Sequence, residues 1–330
     1  MMEFTDHTGM CRYLICVILS GLPLFAASFP EADISNGVVH AKILLPDPDH
    51  GYYRGTRFDW AGVIESLTYA SHDFFGKWFE HYDPHLHDAI MGPVEEFRSE
   101  DGALGYAEAK PGGTFVKIGV GVLRKPDDRP YVFARTYELI GTGKRVVRPG
   151  RDRVEFVQTL SDGEGYAYEY RKTVRLAPGK PELILEHTLK NTGKRVIETS
   201  VYDHDFYVID GQPTGPDFVV KFAFAPHATD SFQGLAEIRG NDLVYLKELQ
   251  PRRSVAGYLE GFSDKPADND IRVENTKVRA GVRETGDRPI SKFYFWSIRT
   301  TVCPEAYIHM RIEPHKQFKW GIKYDFYTLK

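Results

Sequence analysis

Cysteine is nearly missing from this sequence: three residues in 330, two of them Cys11 and Cys16 near the start. A disulfide-stapled scaffold is therefore not expected, and a chain of this length can bury a sufficient core without one. Cys303, left alone, reads as a small buried apolar residue. Basic blocks interleaved with aromatics are also missing, and 42 Lys and Arg stand against 46 Asp and Glu for a formal net charge of −4. Nucleic acid thus has no electrostatic support as a partner. There is no Gly-x-Ser-x-Gly elbow, so a serine hydrolase has no visible nucleophile. The glycines of Gly112–Leu123 lack the spacing of a phosphate loop or dinucleotide fingerprint, and no helix follows them.

Long apolar runs are equally scarce. The longest, from Tyr13 to Ala27, is interrupted by Pro23 and falls short of the roughly 20 residues that span a bilayer. It follows Arg12 and ends in Ala26-Ala27-Ser28. Residues 1–28 are read as a cleavable secretory signal, with export to the periplasm or the extracellular space and no stable membrane insertion after cleavage. Residues 29–330 then form a single domain, with no linker, repeat or low-complexity tract.

What fills that domain is strand-like text. Thr114–Leu123, Arg153–Leu160, Tyr166–Leu176, Glu182–Lys190, Phe218–Ala225, Asp242–Leu249, Asp270–Val282, Lys292–Arg299 and Phe318–Leu329 are alternating, β-branched or aromatic runs. Turn pairs such as Pro149-Gly150, Pro178-Gly179, Asp162-Gly163 and Asp210-Gly211 separate them. No long segment has a 3.6-residue period. The pattern predicts an all-β fold, a large antiparallel sandwich.

Chemistry-bearing residues concentrate in four places. Val196–Gly211 begins as a strand and then places Tyr202, Asp203, His204, Asp205, Phe206 and Tyr207 together. Aromatic faces cover the C–H face of a pyranose, and carboxylates and imidazole bind its hydroxyls and move protons near neutral pH. Gly51–Ile64 sets Arg54 and Arg57 among Tyr52, Tyr53, Phe58 and Trp60, which suits either a guanidinium for ligand oxygens or a structural contact with Asp59. Trp78–Phe97 holds His81, His85 and His87. Pro84 breaks any helix that would align the first two, so no metal is expected and the segment reads as a loop bordering a ligand. Glu305 follows Cys303-Pro304 among apolar residues, as a base tuned by partial burial or as a surface turn. Lys117 is expected to face water.

These segments resemble the galactose mutarotase-like superfamily, which includes the aldose 1-epimerases. Residues 202–211 are similar to the signature in which a strand ends in Asn-His-Ser-Tyr-Phe-Asn-Leu, with Asp203 in place of the Asn and Asp205 in place of the Ser. Residues 303–305 resemble the Cys-x-Glu strand of that family. Arg57 resembles its sugar-binding arginine, and His87 its second histidine. The resemblance spans about residue 38 to the end. It implies a β-supersandwich with a carbohydrate cleft, Glu305 as base, His204 as the acid at the ring oxygen, and Arg57 and His87 on hydroxyls. It also implies a sugar or oligosaccharide ligand and no cofactor. Asp203 and Asp205 are further candidates for binding hydroxyls, and Tyr207 or Trp60 for stacking on the ring. Three activities are compatible: an anomer-interconverting epimerase, a carbohydrate-binding protein without catalysis, and a polysaccharide lyase or hydrolase in which Tyr202, His204 and Arg57 act beside a uronic carboxylate.

Overall fold

The computed structural model describes Met1 and residues 29–330; the segment read as a signal otherwise lies outside the described residues. Among the described residues there is no α-helix, only a three-residue 3-10 turn at Pro266–Asp268. The larger sheet has ten antiparallel strands, with Glu182–Asn191 near its centre between Gln317–Thr328 and Ala167–Leu176. The second sheet has six, in the order His227–Ala228, Ser254–Glu260, Lys292–Ile298, Thr301–Ile312, Ile197–His204 and Val94–Arg98. Sheets of four and three strands complete the fold. This is the predicted antiparallel β-supersandwich.

Alternation drives the packing. Along Glu182–Asn191, Leu183, Leu185 and Leu189 are buried on one face while Glu186 and Lys190 are exposed on the other, as the period of two requires of a half-buried strand. These leucines join Tyr324 and Phe326 of the same sheet, and Val201, Ile308 and Phe293 of the six-stranded sheet, in one hydrophobic core. A second core, containing Tyr53, Phe58, Trp78, Tyr106, Phe115 and Phe206, is built largely from residues 52–139. That long excursion covers part of the outer face of the six-stranded sheet and walls the cleft described below.

Two expected strands are hairpins. Thr114–Leu123 turns between Thr114–Lys117 and Gly121–Arg124. Gly119 sits there at φ +81°, and a Cβ on it would meet Asp59 at 2.7 Å, so only glycine fits the turn. Asp270–Val282 likewise divides into Asp270–Asn275 and Ala280–Gly286.

The pleat of Ile197–His204 splits the aromatic and acidic cluster that the sequence presents as one. Tyr202 and His204 face outward, joined by Phe206, whereas Asp203, Asp205 and Tyr207 turn inward between the sheets.

Candidate functional site

The ladder between Ile197–His204 and Thr301–Ile312 runs from Ile197 opposite Ile312 to Val201 opposite Ile308 and then stops. Pro304 lies beyond that end, where its missing N–H removes a ladder donor at no cost. The two strands carry His204 and Glu305 into the gap. His204 Nε2 stands 3.4 Å from Glu305 Oε1, and both side chains are about 95% buried. The expected alternative of a surface turn at Pro304-Glu305 does not hold, because both residues lie within a twelve-residue strand.

Around this pair the cleft encloses about 640 Å³. One wall is aromatic. His204 stacks on Phe206 at 3.8 Å between ring centroids, and Phe206 on Trp78 at 4.6 Å. Phe206 holds φ +46° to do so, a left-handed conformation unusual for a bulky residue. Trp296, Tyr294 and Tyr258 continue the lining.

The other wall is ionic and centres on Glu96, a residue the sequence reading passed over. Arg57 Nε donates to Glu96 Oε2 at 2.7 Å, and the Tyr202 hydroxyl donates to the same oxygen at 2.6 Å. Lys117 reaches Glu96 Oε1 at 3.2 Å and the Phe97 carbonyl at 2.7 Å. Lys117 is thus buried rather than facing water as expected. Burial alone would raise the Glu96 carboxyl; Arg57, Lys117 and Arg98 outweigh it and hold the group well below the usual range. Glu96 therefore stays ionised and fixes Arg57 and Tyr202 at the cleft. The strand Val94–Arg98 puts Glu95 and Glu96 on opposite faces.

Proton occupancy of the His204–Glu305 pair follows from burial. Desolvation lifts Glu305 to about 8, against the lowering effect of Arg57. Desolvation, with Arg57 adding to it, pushes His204 well below its ordinary value. These opposite shifts leave the proton on the carboxyl near neutral pH.

His87 also lines the cleft, at its mouth, with Nε2 3.5 Å from Asp88 Oδ2. His204, Glu305, Arg57 and His87 are therefore brought together. Asp203, Asp205, Tyr207 and Trp60 are not. Tyr324 donates to Asp203 Oδ2 at 2.7 Å and also lies 3.0 Å from Asp205 Oδ1, and Tyr207 donates to Glu284 Oε2 at 3.3 Å, all between the sheets. Trp60 is buried, its indole N–H donating to the Gly55 carbonyl at 2.8 Å. Among the described residues no group of three or more His, Cys, Asp and Glu side chains is placed to hold a metal ion.

The inward carboxyls carry a testable consequence. Burial raises Glu284 from 4.5 to about 7, so between those values the folded protein keeps a proton that the unfolded chain has lost. The stability this group contributes is complete below pH 4.5 and is lost as pH rises through about 7. Glu284→Gln removes that dependence. Its melting temperature relative to the parent should rise from pH 5 to pH 8, by an amount corresponding to on the order of 1–3 kcal/mol, as read by thermal denaturation.

No family model and no curated protein matches the chain. Solved structures do. The GalM/aldose epimerase homologue from C. elegans superposes with a TM-score of 0.58 at 13% identity, over 92% of this chain and 100% of that one. A putative aldose 1-epimerase from Escherichia coli K12 gives 0.55 at 12%, over 91% and 99%. The galactose mutarotase related enzyme from Lactobacillus acidophilus gives 0.54 at 14%, over 91% and 98%. The fold is galactose mutarotase-like. At these identities the agreement is one of backbone architecture over nearly the whole of both chains. Within the galactose mutarotase-like fold of this protein, the cleft lies on the outward face of the six-stranded sheet.

Proposed function

We propose that the protein is an exported sugar-binding enzyme of the aldose 1-epimerase type, interconverting anomers by acid/base ring opening. The observation that carries this reading is the buried His204–Glu305 pair, 3.4 Å apart, beside an aromatic wall and an arginine. Glu305 as carboxylate takes the proton from the anomeric hydroxyl, and His204 as imidazolium gives its proton to the ring oxygen. The C1–O5 bond breaks as the C1 carbonyl forms. Rotation about C1–C2 and closure with the transfers reversed yield the other anomer. Burial places the proton on Glu305; sugar hydroxyls that hydrogen-bond the carboxylate favour its passage to His204. Arg57, held by Glu96 and Tyr202, directs its guanidinium at hydroxyls, and Trp296 offers a face for the ring.

The pair's proton balance supplies the test. The proton leaves as pH rises through about 8, so kcat/KM for anomer equilibration should fall about tenfold per pH unit above that value. A rate independent of pH from 7 to 10 would remove Glu305 and His204 from the chemistry. Measurable sugar binding with no acceleration at any pH would instead support a carbohydrate-binding protein without catalysis.

A further inference from the structure

The cleft does not end at the acid/base pair. A second cavity of about 510 Å³ shares Arg98 and Tyr258 with it and is also lined by Lys292. Register fixes the spacing. Glu305 lies opposite Tyr294, and two residues along the same strands Tyr307 lies opposite Lys292. Two residues of strand span about 7 Å, roughly one pyranose ring beyond Glu305.

Positive charge gathers at this junction without matching negative charge. Glu96 is surrounded by Arg57, Lys117 and Arg98, one carboxylate against three cations. Arg98 folds back so that its Nε is 3.7 Å from Glu96 and remains about one-third exposed. Lys292 makes no ion pair among the described residues; its Nζ lies 3.9 Å from the centroid of the Tyr307 ring. Partial desolvation and the nearness of Arg98 push its ammonium down, against the opposing pull of Glu305 and Glu96. Two cations held close together with one of them unpaired are repulsive until an anion arrives. The second cavity is also lined by Glu100 and Asp101, which pair with no cation among the described residues, and by Glu108 and Glu198, which pair with Arg195 and Arg311, so a second anionic unit finds no further free cation there.

From this we infer that Arg98 and Lys292 form an anion subsite, and that the substrate is a sugar bearing one anionic group about a ring's width from its anomeric carbon. The inference rests on the reading of the cleft as a sugar site. A carboxylate accepts two parallel hydrogen bonds from the Arg98 fork while Lys292 supplies a point charge; a phosphate ester would meet the same groups. A polyuronide is disfavoured by the unpaired Glu100 and Asp101.

Titration calorimetry on the full chain tests this with galactose, galacturonate and galactose 6-phosphate at 20 and 300 mM salt. At low salt at least one anionic sugar should bind tenfold or more tightly than galactose, and the preference should shrink at high salt. Which of the two is preferred identifies carboxylate or phosphate. Arg98→Gln and Lys292→Gln should each lower the ratio of anionic to neutral affinity at least fivefold; Lys292 is the more solvent-exposed of the two, so its variant guards against a folding defect at Arg98. Equal binding of neutral and anionic sugars would overturn the anion subsite while leaving the sugar site in place. Preferential binding of an anionic sugar without anomer equilibration would uphold the subsite and refute the epimerase. Binding of none of the three would overturn both.

Discussion

Glu305→Gln should lower the rate of anomer equilibration about 10²–10⁴-fold, the range for removing a general acid or base, while sugar affinity changes little. The amide is close to the carboxyl in size and still fills the space beside His204, 3.4 Å away, but it does not take a proton from the anomeric hydroxyl. His204→Asn should act in the same range by removing the donor to the ring oxygen. The double variant should be scarcely slower than either single one, because the two groups share one proton and work as a unit. Stopped-flow polarimetry on a freshly dissolved single anomer, paired with calorimetry on the same samples, reads rate and affinity separately. Loss of affinity with an unchanged turnover rate would make the pair a binding device rather than an acid and base.

The second large effect lies behind the cleft. Lys172, fully buried, donates to the Ala61 carbonyl at 2.9 Å and pairs with Glu95. The other oxygen of Glu95 meets His187 Nε2 at 2.7 Å. Burial would raise the Glu95 carboxyl, yet Lys172 and His187 hold it down at about 2. Lys172→Met fills a similar volume but strands an ionised carboxylate with one partner. The expected cost is about 3–5 kcal/mol, the range for breaking a buried ion pair from one side. Chemical denaturation should show a lower midpoint at unchanged slope. A Lys172→Met, Glu95→Gln double variant should recover part of the loss, since the unpaired charge is then gone. No loss in the single variant would mean that Glu95 takes up a proton there and that the network tolerates a neutral core.

Glu95 and Glu96 also show how the sequence can be read and where such reading stops. The strands were legible because alternation of apolar and polar residues is local: Arg153–Ser161 and Lys292–Ile298 nearly coincide with their sequence patterns. His204, Glu305, Arg57 and His87 were legible through short motifs, and the fold brings them to one cleft. Asp203, Asp205 and Tyr207 were grouped with His204 because they are adjacent in sequence. Applying the strand period on both sides of His204 sends them to the opposite face. Glu96, Arg98, Lys117 and Lys292 were not legible as site residues, since their importance comes from pairing across strands far apart in sequence, such as Tyr202 opposite Glu96. Trp60 looked like a stacking platform, but its indole is consumed in closing the loop at Gly55.

Opening and reclosing of a sugar ring in the His204–Glu305 cleft is read from one-dimensional proton NMR of anomeric signals. Catalytic amounts of protein added to freshly dissolved α-anomers of galactose, glucose, rhamnose and galacturonate should bring at least one of them to its α/β equilibrium faster than buffer alone. Glu305→Gln should abolish the acceleration. Unchanged equilibration of all four, with line broadening that shows they bind, would contradict ring opening and leave a sugar-binding protein.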